Sequence, residues 1–475
     1  MMEAILEILR EPWFYTTLSL TYVLSIITVI LVILGENRNP VKSLAWVTVL
    51  ILFPAVGLVL YIFFGRNIKN KRMISRRTKR RLLKKIKRPR NSTPAPAEYR
   101  PLARLVQTIL GSPYLPGNEV EIFSTGAKKF ESLADDLRRA SKFINLQYYI
   151  FQDDELGREI ADILMERARA GVKVRVIYDH VGSFRVSSDF FKRMKEAGIE
   201  AYPFFKVTFL PFASKVNWRN HRKIVIIDGQ IGYIGGMNVA NRYLDGGKFP
   251  LWRDCHLRIE GPAVSALQYS FARDWNFMSN EVLDQECSLE PKGKIGLQVI
   301  TGGPMIQWNS IAHVFMRAIL EAKKRIYLQT PYFLPPESLL KALQNASLSG
   351  IDVRIMMPRK SDSWMLSFSS RSYIAECLRA GIKIYLFEPG MLHSKVLIID
   401  DDLASVGSTN FDFRSFEHNF EANVIIYSQE ANARLREVFL ADQSASERIY
   451  PDAWKQRPRF QRALESIVRL LAPIL

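Results

Sequence analysis

Two imidazoles, two ammonium groups and two primary amides recur in this chain at matching intervals. His221, Lys223 and Asp228 form the pattern His-x-Lys, four apolar residues, Asp. His393, Lys395 and Asp400 repeat it. Six residues separate each Asp from a glycine-led turn, Gly235-Gly236-Met237-Asn238 and Gly407-Ser408-Thr409-Asn410. A lone His-x-Lys carries little information; two copies agreeing at His, Lys, Asp, Gly and Asn carry much more. A neutral imidazole can attack phosphorus, and a protonated one can donate to a departing alkoxide. Lysine is a pure donor and the asparagine amide a partial one, so Lys223, Lys395, Asn238 and Asn410 suit the oxygens of a phosphate. This is equipment for covalent phosphoryl-type transfer without a metal.

The residues following each lysine, Ile-Val-Ile-Ile and Val-Leu-Ile-Ile, are apolar and mostly β-branched, so both motifs are expected on buried strands. On a strand, residues i and i+2 share a face, which aims each His with its Lys. Asp228 and Asp400 fall where a turn begins; they either orient a catalytic group or cap the turn. The same elements precede both motifs. Ile144-Asn145-Leu146-Gln147 is echoed by Ile326-Tyr327-Leu328-Gln329, and the stretch 171–177 by 350–356. Each half reads strand, helix, strand, motif strand, which predicts a duplicated α/β unit with a largely buried sheet.

The chain has 475 residues and a net charge of +19. Residues 66–90 hold fourteen Lys or Arg and no acid, so the remainder is near +5. This location argues against a nucleic-acid binder. The basic run follows two uncharged or nearly uncharged apolar stretches, 13–34 and 44–64, each long enough to cross a hydrocarbon core of about 30 Å. A short link joins them, which predicts a transmembrane hairpin kinked near Pro54 and Gly57 rather than a cleaved signal peptide. The positive-inside rule places the basic run and everything after it in the cytoplasm. Cys255, Cys287 and Cys377 are few and far apart, which argues for a reducing compartment; no Cys/His cluster has zinc spacing. The expected organisation is 1–65 transmembrane hairpin, 66–110 basic juxtamembrane segment and linker, 111–290 first half and 291–475 second half. The phenylalanines within 202–212 either line an acyl-chain groove or pack in the core. Residues 460–475 form either an interfacial helix or one docked on the protein.

At the two motifs and their glycine turns the chain resembles the phospholipase D superfamily, and within it the bacterial cardiolipin synthases. The resemblance extends to 38–46 and 63–67, to Asn217-Trp218-Arg219-Asn220, to Trp252-Arg253-Asp254-Cys255-His256, and to Phe411-Asp412-Phe413-Arg414-Ser415 with Asn419 and Glu421. It implies two α/β sandwich halves packed as a pseudo-dimer with the site between them. It implies transfer of a phosphatidyl group between two phosphatidylglycerol molecules through a phosphatidyl-histidine, releasing glycerol, with no cofactor and no metal. His221 is assigned as nucleophile and His393 as acid/base, with the reverse left open by pseudo-symmetry. Asp254 and Glu421 resemble the family's orienting carboxylates. The other histidines, His180, His256, His313 and His418, are read as structural. The implied partners are phosphatidylglycerol and anionic lipids, at a bacterial cell membrane. Competing readings are a hydrolytic phospholipase D, another phosphatidyltransferase or nuclease of the superfamily, and an inactive membrane-bound scaffold.

Overall fold

Seven strands run through the first half of the sequence, and seven more follow the same path in the second. The computed structural model describes residues 11–33, 40–61, 93–206, 218–279, 281–283, 286–304, 306 and 308–469. The chain divides into two compact units, Met1–Lys71 with Val207–Trp218, and Arg72–Lys206 with Arg219–Leu475.

In the N-terminal unit, helix α1 (Pro12–Ile33) is built from 22 residues without a charge. The second apolar run is not one helix. It breaks into α2 (Pro40–Leu52) and α3 (Pro54–Leu60), because Pro54 cannot donate a hydrogen bond within a continuous helix. Leu50 and Tyr61 are buried together against Val29, Trp46 and Leu58, and Ser25 donates to the Pro54 carbonyl at 3.2 Å. Gly57 sits where a Cβ would lie 2.8 Å from the Val49 carbonyl oxygen, so a larger residue would push α2 and α3 apart. Among the described residues, no helix is long and apolar enough to cross a membrane. The loop 34–39, the end of the second run, the basic stretch 66–90 and the start of the linker lie outside the described residues.

The larger unit carries one 15-stranded mixed sheet. Its strands are β1 (Leu115–Phe123), β2 (Phe143–Tyr148), β3 (Lys173–Asp179), β4 (Glu200–Phe204), β5 (Ile224–Ile227), β6 (Ile231–Gly235) and β7 (His256–Glu260) in the first half. The second half has β8 (Ile295–Gly302), β9 (Arg325–Gln329), β10 (Asp352–Pro358), β11 (Lys383–Phe387), β12 (Val396–Ile399), β13 (Leu403–Gly407) and β14 (Glu421–Tyr427), with β15 (Ser446–Ile449) added at its edge. The order is β15-β11-β10-β9-β12-β13-β14-β8-β1-β7-β6-β5-β2-β3-β4. Read outward from the β1–β8 seam, both halves have the same path, 1-7-6-5-2-3-4 and 8-14-13-12-9-10-11. The parallel neighbours β2, β3 and β4 are joined through helices; the motif strand β5 runs antiparallel to β2. β12 likewise runs antiparallel to β9.

Every residue of β2 is buried because helices cover both faces of the sheet. Ile144 and Leu146 join the main apolar core with Ile160 and Leu164 of the helix Glu155–Arg169. The alternate residues Asn145 and Gln147 bond Gln268 and Asp274 of the helix Val264–Ser279. Gln329 repeats this, donating to Asp442 at 2.8 Å. Helix α4 (Arg100–Leu110) buries Leu102 and Val106, and Gln298 donates to its Ala103 carbonyl. Phe204 and Phe205 pack against Phe277 and Phe420, which favours core packing for the described part of 202–212; 207–212 lie outside the described residues. The helix Arg459–Arg469 docks on the protein through Glu465 to Arg457 and Arg469 to Glu376, both at 2.6 Å.

Candidate active site

The segments that carry the two histidines are each held by the other half. Met391–Leu392 pairs in parallel with Trp252–Arg253, and the His393 amide donates to the Arg253 carbonyl at 2.6 Å. Asn220 bridges Phe420 in the same manner, and the His221 amide donates to the Phe420 carbonyl at 2.9 Å. These pairings place each histidine beside the carboxylate of the opposite half. Nδ1 of His221 lies 3.0 and 3.1 Å from the two carboxylate oxygens of Glu421 and 3.1 Å from the Ser408 carbonyl oxygen. Nδ1 of His393 lies 2.7 Å from Asp254 Oδ2. With only acceptors around it, Nδ1 of His221 carries the proton and Nε2 keeps its lone pair.

The glycine turns differ for a reason of length. A Cβ on Gly236 would stand 2.0 Å from Asp254 Oδ1, so the short carboxylate occupies the space a side chain would need. Glu421 is longer, and Ser408 fits at the matching position with its hydroxyl donating to Glu421 Oε2. Lys223 and Lys395 are fully buried or nearly so, and each donates to the carbonyl of its own motif histidine. Lys395 Nζ also lies 2.6 Å from Nδ1 of His393 and 3.8 Å from Asp254 Oδ2.

Burial dominates the electrostatics. It lowers both imidazoles from their usual range, His393 further because the Lys395 ammonium stands against it. It pulls Lys395 down to about 8 and Lys223 well below its ordinary value. Asp254 is pushed up to about 6 by burial, whereas Glu421 is held below its usual range because His221 and Lys223 outweigh its burial. An incoming phosphodiester adds one negative charge to this centre. That charge makes room for a proton on one imidazole.

The asparagines are partly committed. Asn238 donates to the Tyr243 hydroxyl at 2.8 Å and accepts from the Ile150 amide at 3.1 Å, leaving one amide hydrogen. Asn410 is buried with its Oδ1 unpartnered among the described residues, and its amide bonds Asp412. Asp228 and Asp400 are not gathered with the imidazoles. Asp228 accepts from the backbone amides of Ser141, Lys142 and Phe143, each at 2.8 Å. Asp400 accepts from those of Lys323, Lys324 and Arg325. Both sit at φ 53°, where the chain reverses after the motif strand. This geometry favours the turn-capping reading of the two carboxylates. His256 is fully buried behind the first turn, with neither ring nitrogen bonded among the described residues.

Several contributors were given no role from the sequence. Tyr149 meets the His221 ring edge-on at 5.0 Å, and Trp252 lies 5.4 Å from His393. Arg222, the middle residue of the first motif, bonds Asp274 and the carbonyls of Glu421 and Gly302. Its place between His and Lys on a buried strand was the available signal, since an arginine pointing to the opposite face there must find an anion.

A duplicated α/β half that lends one His-x-Lys motif to a shared centre defines the phospholipase D class of protein. The family model described as cardiolipin synthase, phospholipase D-like domain, matches residues 133–275 and 315–443, and the phospholipase D-nuclease N-terminal model matches 23–66. Cardiolipin synthase from Geobacillus kaustophilus is 41% identical over 464 residues, covering 95% of this chain and 92% of the relative. The major cardiolipin synthase of Bacillus subtilis is 39% identical over 475 residues, covering 96% and 98%. The crystal structure of phosphatidylserine synthase from Haemophilus influenzae shares the fold, with a TM-score of 0.63 at 15% identity over 79% of this chain and all of that one. The chain belongs to the cardiolipin synthase family.

Proposed function

We propose that the enzyme makes cardiolipin by moving a phosphatidyl group from one phosphatidylglycerol to another. The observation that carries this reading is the crosswise pairing of His221 with Glu421 and His393 with Asp254 beside two buried lysines. In the first step Nε2 of His221 attacks phosphorus, the bond to the glycerol oxygen breaks, and His393 gives that oxygen its proton. In the second, the hydroxyl of another phosphatidylglycerol passes its proton to His393 and attacks phosphorus. The phosphorus–nitrogen bond breaks, and cardiolipin leaves. One phosphodiester replaces another, so no nucleotide is consumed. Lys223, Lys395 and the free amide hydrogens of Asn238 and Asn410 hold the charged oxygens through both steps. Glu421 and Asp254 orient the imidazoles.

The lipid substrate is matched by an N-terminal pair of apolar segments. The hairpin reading holds that α1 and the α2–α3 pair span a bacterial cell membrane, with the basic run 66–90 at the cytoplasmic face. Purified full-length enzyme given labelled phosphatidylglycerol should release glycerol and form cardiolipin without CTP. Phosphatidic acid as the sole product would instead identify a hydrolase.

A further inference from the structure

The halves share a path, yet they differ at the loop that follows their third strand. In the first half that loop carries Ser183, buried and accepting from the Phe151 amide at 3.1 Å, and Ser370 repeats this bond in the second half by accepting from the Phe333 amide at 3.0 Å. Four residues beyond the end of β10 stands Asp362, half-buried. The Tyr332 hydroxyl donates to Asp362 Oδ1 at 2.6 Å, and the Ser361 hydroxyl donates to the same oxygen at 3.2 Å. Among the described residues none donates to Oδ2. Tyr332 is buried, with its ring edge-on to His393 at 6.5 Å. The charge of Asp362 is felt at His393 and Lys395, where it favours the protonated forms. Lys248 of the first half donates to the Asp362 carbonyl at 3.1 Å, which ties the loop to the opposite half.

A carboxylate here serves no phosphate, because like charges repel. It serves donors. The fold gives it two through one oxygen and leaves the other without a donor among the described residues, and the tyrosine that presents it faces His393, the histidine assigned to the leaving and entering alcohol. We propose that Asp362, presented by Tyr332, is a subsite for the hydroxyls of a glycerol headgroup and selects a vicinal diol as acceptor over a simple alcohol or water. This rests on the transferase reading above. In the second step the terminal hydroxyl of the acceptor gives its proton to His393 and bonds to phosphorus as the phosphorus–nitrogen bond breaks. The Asp362 side chain accepts from the neighbouring secondary hydroxyl, which fixes the attacking oxygen. Asp362 precedes a helix, Trp364–Ser372, that the second half has in addition to the one helix described at this point of the first, so the subsite belongs to one side of the centre.

The test uses the full chain in vesicles containing cardiolipin, with 1,2-propanediol and 1-propanol competing as acceptors. The wild type should favour the diol by about tenfold or more, a discrimination in the range that hydrogen-bonding sites reach. Asp362→Ser should bring the ratio of phosphatidyl-propanediol to phosphatidyl-propanol close to one and raise the share of phosphatidic acid. Tyr332→Phe, which removes one hydroxyl and keeps the ring, should lower the same ratio part of the way. Equal loss of diol and mono-alcohol transfer in both variants would overturn the proposal, as would a wild type without diol preference. A wild type that forms phosphatidic acid and no alcohol product would sink the transferase reading itself, and is told apart from the other failures by the absence of either ester.

Discussion

Asp254 and Lys395 set the pH range of the centre, because burial moves both toward neutrality. Asp254, at about 6, must be ionised to support an imidazolium on His393; Lys395, at about 8, must be protonated to hold a phosphate oxygen. As pH rises through about 6 the first group gains its charge, and as it rises through about 8 the second loses its own. The expected kcat/KM profile for phosphatidylglycerol is therefore a bell with limbs near those values. Lys395→Arg, whose guanidinium stays charged, should lower the maximum and remove the alkaline limb. A profile flat between about pH 5 and 9 would contradict this assignment. The bound phosphodiester also weakens the hold of Lys395 on His393, so the imidazole becomes an acid only once substrate is present. In the kcat profile the acid limb should move accordingly.

At the scale of the element, each motif strand ends in the same device. Asp228 and Asp400 turn the chain at positive φ and gather the first amides of the strand that pairs with the motif strand, β2 in one half and β9 in the other. Their carboxylates fix the register of that antiparallel pair, and register decides which residues face the centre. Asp228→Ala and Asp400→Ala leave three amides without their acceptor. Each should cost about 1–3 kcal/mol of stability, because hydrogen bonds to a charged group exceed the ordinary value and solvent can replace part of them. Thermal unfolding would show a lowered midpoint, and kcat measured well below that midpoint should stay within about threefold of the wild type. A loss of a hundredfold or more in a folded Asp228→Ala would restore the catalytic reading.

Over the whole molecule, the shared centre depends on contacts that cross between halves. Arg222 links the helix Val264–Ser279 of its own half, through Asp274, to the carbonyls of Gly302 and Glu421 in the other. Arg253 does the converse, joining Asp442 of the second half at 2.8 Å to the Ser124 carbonyl of the first. Both arginines and both aspartates are buried. Arg253→Met strands Asp442 in the interior, and the penalty for breaking a buried pair from one side is about 3–5 kcal/mol. The variant should unfold at lower temperature and lose activity together, since Arg253 also carries the backbone carbonyl that positions His393. The double variant Arg253→Met, Asp442→Leu should recover much of the stability. If the single variant unfolds like the wild type, the seam is held by other contacts.

The duplicated His-x-Lys-x4-Asp pattern was enough to point to phosphoryl-type chemistry and to the repeated α/β half, although each His and Lys lies just before its motif strand and not on it. Those properties are local: period-two alternation and β-branched composition act within a few residues. The apolar character of 13–34 was equally plain, though the break at Pro54 divides the second run. Which carboxylate serves which histidine was not legible. His221 and Glu421 are 200 residues apart, and His393 and Asp254 are 139 apart. Nothing in a local pattern distinguishes pairing within a half from exchange between halves. The same holds for Gly236 and Ser408, equivalent in the repeat but opposed by carboxylates of different length. Asp228 and Asp400 lie in the motif, yet the backbone reversal at φ 53° turns them onto amides from an earlier strand. Only the closing of two halves across the β1–β8 seam decides these matters, because the groups involved meet through space and not along the chain.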